Sequence, residues 1–373
     1  MSINVLTSGV VGATLAGLAA FGSGHAAHAN QINTGDKAGA YHSTFCPAVE
    51  TQLSRAKFEH KCTPSSGTLD NMKRVAADPR QLGYGQLDVF ALEAAALGGA
   101  QTFTRVRMDD VRECVFAVTR NREITNWGEV AANASKLRFI VGPKDSGSAG
   151  TMKFLQKIDA DGVAKAKSTV NASDADEAID LALSADDTVA LVVQFPDPDN
   201  ARFKKIQDGG GHIVPVIDRT ILRQQLDGQK VYFAQETQVA NAKWLKGGQK
   251  VITACTPLVL FTGTADKVAG DKARQDQKDM IITLQALKPD VLMPQQSMLT
   301  KIWKKTRELS GSSVEKMVVL SEQARDKAKP MMEKAIEATK PALDKAKELG
   351  GQAMEKAKEA TKEMMEPGKA PKL

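Results

Sequence analysis

Charged side chains are missing from the start of this sequence: Met1 to Ala29 contains no Asp, Glu, Lys or Arg. The apolar run there, Val10 to Phe21, is too short to cross a bilayer comfortably. It leads into Ala27-His28-Ala29, the small-x-small pattern that a signal peptidase accepts. The expectation is a signal peptide over 1–29, cleaved after Ala29 to place the mature chain in the periplasm. The Lys or Arg that such leaders carry near Met1 is also missing, which keeps an uncleaved anchor or an upstream start as the alternative.

Other absences narrow the function. Aromatic residues make up 5% of the chain, too few to suggest stacking platforms for single-stranded nucleic acid or extended sugars. The net charge of +6 is spread out with no long block of one sign, so no nucleic-acid arm is expected. There is no CxxC pair, and beyond the leader only His42, His60 and His212 remain, so neither a metal site nor a thiol redox motif is indicated. GxSxG and HExxH patterns are absent, no DxD cluster has the spacing for a metal, and Gly142 to Gly147 is followed by Ser148 where a nucleotide-binding P-loop needs Lys. Asp197 and Asp199 flank a proline and read as a turn. A non-enzyme without a cofactor is the expectation.

What is present is an ordinary globular chain of 373 residues, 42% hydrophobic and 25% charged, long enough for two domains and an appendage. β-rich runs at 112–119, 137–141, 188–193 and 250–262 alternate with helical stretches at 47–58, 69–77, 149–158 and 175–182. That alternation is the signature of an α/β fold with a largely parallel sheet. Four cysteines allow three pairings. After export, Cys46 with Cys62, close in sequence around one helix, and Cys114 with Cys255, both in β-rich runs, are the favoured disulfides.

Beyond Leu309 the composition shifts to Lys, Glu, Ala and Met, so a boundary is placed near 310. Segments beginning at Lys329, Lys340 and Gly351 align with a repeat of 11 residues, about three helical turns. Met332, Ile336, Leu343, Ala346, Met354, Ala357 and Met365 then drift around one face of an amphipathic helical tail, 310–373. Pro330 and Pro341 punctuate it. A solvated helix, a homotypic or partner coiled coil giving self- or envelope association, and a lipid-surface helix all fit this pattern.

Three Gly- and Ser-containing loops precede helices. One is Thr34-Gly35-Asp36-Lys37-Ala38-Gly39-Ala40-Tyr41, the second runs from Thr63 through Ser65 and Ser66 to Thr68, and the third is Gly142-Pro-Lys-Asp-Ser-Gly-Ser-Ala-Gly-Thr151. Singly, each reads as a capped turn. Together they suit a site at the carboxyl ends of sheet strands, where helix N–H groups and the Ser146 and Ser148 hydroxyls favour an anion. Arg74, Arg105, Arg107, Arg112 and Lys144 are candidates to pair with a ligand carboxylate. The expected ligand is a small organic acid or amino acid.

In order along the chain, Thr34, Gly35, Gly39 and Tyr41, the stretch Ser65 to Arg74, Gly85-Gln-Leu-Asp-Val89, the loop 142–151, Gln194-Phe-Pro-Asp-Pro-Asp199 and Val214-Pro-Val-Ile-Asp218 resemble the TAXI-type solute-binding proteins of TRAP transporters. The resemblance covers about 32–305 and stops before the tail. It implies a two-lobed, type II periplasmic binding fold, with lobe 1 over about 30–118 and 250–309 and lobe 2 over about 119–249. It also implies capture of a small ligand and delivery to membrane permease subunits. By matching positions, Tyr41, Ser66, Gln86, Ser146, Gly147, Ser148 and Phe195 are implied ligand contacts, with Thr34, Gly35 and Ser65 in the same loops. Ser148 stands where the family has Thr, and Cys46 and Cys62 are not features of the family. The second functional reading is an envelope scaffold in which the tail is the working part.

Overall fold

A computed structural model of the chain describes residues 30–240, 248–292 and 311–328, with single residues 330, 334, 341 and 345. The leader at 1–29 and the apolar stripe from Met332 to Met365 lie outside the described residues.

The first lobe is built from βα units. Strands β1 (Asn30–Asn33), β2 (His60–Thr63) and β3 (Leu82–Gln86) run parallel in the order β2-β1-β3. Helices α1 (Cys46–Arg55), α2 (Thr68–Ala77) and α3 (Leu87–Glu93) connect and cover them. Pro47 sits in the first turn of α1, where its missing N–H costs nothing. The chain then enters β4 (Phe103–Thr119), 17 residues long, which leaves lobe 1 and becomes the first strand of lobe 2.

Lobe 2 repeats the plan with α4 (Trp127–Ala132), β5 (Arg138–Val141), α5 (Gly147–Ile158), β6 (Ser168–Asn171), α6 (Ala175–Ser184) and β7 (Thr188–Gln194). Strand β5 lies between β6 and β7, parallel to both. Side chains cap these helices: Asn126 and Glu129 form a capping box on α4, the Ser146 side chain accepts from Ala149 N on α5, and Asp174 caps α6. The strand and helix expectations at 112–119, 137–141, 188–193, 47–58, 69–77, 149–158 and 175–182 all fall on elements of the matching type.

The return path is α7 (Ala201–Asp208), β8 (His212–Pro215), α8 (Arg219–Leu222), the small hairpin β9 (Gln225–Leu226) and β10 (Gln229–Lys230), and β11 (Phe233–Ala240). Strand β12 (Gln249–Gly263) is 15 residues long and takes the place of the expected run at 250–262. Its first half pairs with β11 and its second half with β3, while β4 lies against it from Cys255 to Gly263. Helices α9 (Asp271–Ala286) and α10 (Pro289–Leu292) return to lobe 1.

The two long strands therefore belong to both lobes. At the point where their partners change, Cys114 stands opposite Cys255 and the two are joined; the second disulfide ties Cys46 of α1 to Cys62 of β2. Both pairings are those favoured from the sequence. One apolar core also crosses the boundary. It runs from Met72 and Phe90 through Val115 and Val259 to Trp127, Phe139 and Met152, all buried.

The helical segment 312–328 packs on lobe 2. Val318 is buried with Ile217 and Ala234. Arg219 pairs with Glu315 at 2.6 Å and with Glu322 at 2.9 Å, and Arg325 pairs with the buried Asp159 at 2.6 Å. The half-exposed Arg219 pairs contribute little each, so Val318 and the less exposed Arg325–Asp159 pair hold the segment in place.

Two outcomes are expected. Replacing Cys114 and Cys255 by Ala opens a separation of 141 residues against 16 for Cys46 and Cys62, upper bounds of about 5 and about 3 kcal/mol in the chain-entropy picture. Urea denaturation of the two double variants is expected to show the larger loss for the first pair. A Cβ on Gly128 would lie 1.8 Å from the Ser321 carbonyl oxygen, so Gly128→Ala dislodges the segment 312–328. Limited proteolysis is expected to cut that segment in the variant and spare it in the parent.

Candidate functional site

The site is set by where strands end. Parallel strands β1, β2 and β3 finish at Asn33, Thr63 and Gln86, and β5, β6 and β7 at Val141, Asn171 and Gln194. The loops after them meet between the lobes, as expected where strand carboxyl ends converge. Gly67, at φ 128°, lets loop 63–68 lie against loop 142–148: a Cβ there would come within 2.9 Å of Ser146 Cα. Lys73 on α2 pairs with Asp145 at 2.9 Å across the same junction. Asn171 Nδ2 donates to Gly142 O at 2.9 Å, and Phe195 packs on Tyr41 and Phe45.

Several of the site residues named from the sequence build these loops. Thr34 is buried, and its hydroxyl donates to Thr63 O at 3.1 Å and lies 3.1 Å from His42 Nδ1. Gly35 O accepts from Ser65 N at 2.9 Å, and Ser65 Oγ accepts from Gly67 N at 3.2 Å. Ser66 is exposed, its N–H on Asp70. Ser146 Oγ caps Ala149 N and lies 3.2 Å from Ser148 Oγ, which accepts from Gly142 N at 3.0 Å. These hydroxyls shape the first turn of α5.

Tyr41 and Gln86 come together around a residue that sequence reasoning passed over, Glu113 on β4, and Phe195 packs against Tyr41. The Tyr41 hydroxyl donates to Glu113 Oε2 at 2.6 Å and Gln86 Nε2 donates to the same oxygen at 2.7 Å. The Gln86 amide lies flat against Gly147, where a Cβ would come within 2.3 Å of its oxygen. That buried Oε1 has no hydrogen-bond partner among the described residues. Tyr41 in turn stacks on Tyr84 with ring centroids 5.6 Å apart and meets the Phe195 edge at 6.0 Å. The only sequence signal for Glu113 was a charge beside an otherwise apolar run, Cys114 to Thr119.

Burial pushes the Glu113 carboxyl up to about 7, with the nearby Asp88 adding to the rise, while the hydrogen bonds from Tyr41 and Gln86 work against it. Burial, then Glu113, holds the Tyr41 hydroxyl well above its ordinary range. Below this group sits a second buried carboxyl. Asp88 Oδ2 accepts from Thr151 Oγ1 at 2.6 Å and from the Tyr232 hydroxyl at 2.7 Å, joining α3 of lobe 1 to α5 of lobe 2; burial raises Asp88 too.

The basic candidates divide. Arg74 is committed to Asp70 at 2.8 Å and to Asn33 and Pro64, and Arg107 to Asp109 at 2.6 Å and to the Leu284 and Leu287 carbonyls. Arg105 lies 3.9 Å from Asp227, and Lys144 is exposed. Arg112, beside Glu113 on β4, lies 3.7 Å over the Phe233 ring. A small apolar pocket, open to solvent, lies behind Tyr84 between Phe45, Val49, Leu258, Leu260 and Leu292. No group of three or more His, Cys, Asp or Glu suited to a metal ion occurs among the described residues.

No protein-family model matches this chain, and no curated protein matches it. Among solved structures it is similar to the periplasmic binding protein BugD, at 12% identity and TM-score 0.41, covering 82% of this chain and 97% of that one. It is similar to MatC from Rhodopseudomonas palustris with bound malate, at 12% identity and TM-score 0.40, covering 80% and 98%. It is also similar to a periplasmic transporter, at 11% identity and TM-score 0.39, covering 83% and 98%. At these identities and scores the ligand and partners of this chain rest on its own residues.

Stability should depend on pH through Glu113. Its folded value of about 7 lies above the ordinary 4.5, so it stabilises the fold fully below about 4.5, and that contribution is lost as pH rises through 7. Asp88 acts in the same direction. The gap in melting temperature between pH 5 and pH 8 is therefore expected to narrow in Glu113→Gln; an unchanged gap would show that the carboxyl does not titrate there.

Proposed function

We propose that this protein is an exported solute-binding protein that captures a small ligand between its lobes and delivers it to a membrane transporter, as the TAXI-type resemblance implies. The observation that carries this reading is the convergence of loops 34–41, 63–68 and 142–148 with Tyr41, Gln86 and Phe195 at the crossing of two strands shared by both lobes. Such a crossing is a natural hinge, because β4 and β12 are shared by both lobes. Two disulfides fit the oxidising periplasm. The finer reading, a ligand bearing a carboxylate, is supported by the N-terminus of α5, 12 residues long and free of acidic residues in its first turn. Within it, Thr34, Gly35, Tyr41, Ser65, Ser66, Gln86, Ser146, Gly147, Ser148 and Phe195 frame the ligand.

A thermal-shift screen of the chain from Asn30, against small organic acids and amino acids, tests this. A ligand at roughly a hundred times its Kd stabilises the folded state by about 3 kcal/mol, a rise of several degrees. Silence across the panel, from a protein with a cooperative melt, would remove the solute-binding reading.

The scaffold reading is favoured by one observation, the anchorage of the segment 312–328 on lobe 2 through Val318, Arg219 and Arg325. A tail held at its root is positioned to present residues 329–373 to a partner. Removing 329–373, and leaving 311–328 in place, is expected to preserve the melting temperature while changing oligomeric state or envelope association if that reading holds. Gel filtration with light scattering reads the first of these.

A further inference from the structure

Among the charges beside the ligand loops, one faces the aromatic side of the site and receives hydrogen bonds from neutral groups. Glu113 takes a phenol hydrogen and an amide hydrogen, both on Oε2. Arg112, its neighbour on β4, points its guanidinium over Phe233, and two other cations of lobe 1, Arg74 and Arg107, are held by Asp70 and Asp109. Asp88 adds negative charge behind Glu113. A second feature points to a ligand independently: the Gln86 side chain, 97% buried, holds Glu113 with its nitrogen and leaves its oxygen unpartnered against Gly147 among the described residues. A buried amide oxygen without a partner costs stability, which a donor on a bound molecule would recover.

Glu113 carboxylate, Gln86 Oε1 and the rings of Tyr41, Tyr84 and Phe195 thus gather acceptors and aromatic faces on one side of the site. That is the chemistry that recognises a protonated amine: a carboxylate supplies the counter-charge, a carbonyl-type oxygen takes a second N–H, and aromatic rings favour a cation. From this arrangement we infer that the ligand carries a protonated amine, bound at Glu113 and Gln86, and that Glu113 is the residue that selects it. The inference rests on the solute-binding reading and deepens it, placing the amine beside the start of α5, against whose Gly147 the Gln86 amide lies.

The sign of the pH dependence separates this from a carboxylate ligand at the same place. The titratable groups beside Glu113 among the described residues are Tyr41 from the segment before α1, its hydroxyl held well above its ordinary range by burial, and Asp88 from α3, raised by burial. An ammonium needs Glu113 ionised and binds more tightly as pH rises through about 7. A carboxylate needs it protonated and binds more weakly.

The test is calorimetric titration of the wild-type chain and Glu113→Gln at pH 6 and pH 8 with matched pairs: 4-aminobutyrate and butyrate, L-glutamate and glutarate, 1,4-diaminobutane and 1,4-butanediol. The expected result is that, in at least one pair, the amine-bearing member binds roughly ten- to hundredfold more tightly than its partner, more tightly at pH 8 than at pH 6. Glu113→Gln is expected to erase that difference. Equal or better binding of the members lacking an amine overturns the amine inference and leaves solute binding standing. Binding by no member of the panel overturns both. If Glu113→Gln fails to fold, the wild-type pH series decides alone.

Discussion

The structure depends on two strands that are each too long for one lobe. β4 and β12 lie antiparallel through the middle of the sheet, take lobe 1 partners at one end and lobe 2 partners at the other, and are joined by Cys114–Cys255 where the partners change. Everything at the candidate site is measured from that crossing. Glu113 is next to the bonded cysteine, Thr256 opposite it receives Asp88 N, and Gln86 lies two rungs along β12 opposite Leu258. A covalent bond at the crossing fixes the register, and a slip of one residue would turn Glu113 to the other face.

Around that axis the lobes are closely fitted. The core is continuous from Met72 to Met152, Asp88 is shared by Thr151 and Tyr232, and the loops touch at Gly67 and Gly147. A ligand that enters has to separate these contacts, and any hinge motion has to be small enough to leave the apolar core intact or be compensated by ligand contacts. The polar interior joins the lobes as well: Gln86 of lobe 1 donates to Glu113 and lies against Gly147 at the start of α5 in lobe 2.

The segment 312–328 adds a third layer. The composition changes near 310, and the first helical turns after it are held to lobe 2 by a buried valine and by charge pairs with Arg219 and Asp159. A change of composition records solvent exposure and repeat history; it does not record whether a few residues on one face find a hydrophobic seat.

What the sequence determined by itself is local. The β-rich and helical runs follow from propensity, and the cysteine pairing found is the one favoured among the three that four cysteines allow; these are interactions among near neighbours or covalent choices. The loops at 34–41, 63–68 and 142–148 were legible for the same reason, since Gly and Ser before a helix announce a turn. Glu113 was not legible, because one acidic residue in the run from Arg112 to Thr119 looks like an ordinary edge charge until β12, β3 and the segment before α1 bring Thr256, Gln86 and Tyr41 to it from positions remote in the chain. Its burial, its raised pKa and the unpartnered oxygen of Gln86 exist only once those strands are side by side. Tertiary structure decided the charge of the site because desolvation and hydrogen-bond geometry depend on distances that no local pattern in the sequence encodes.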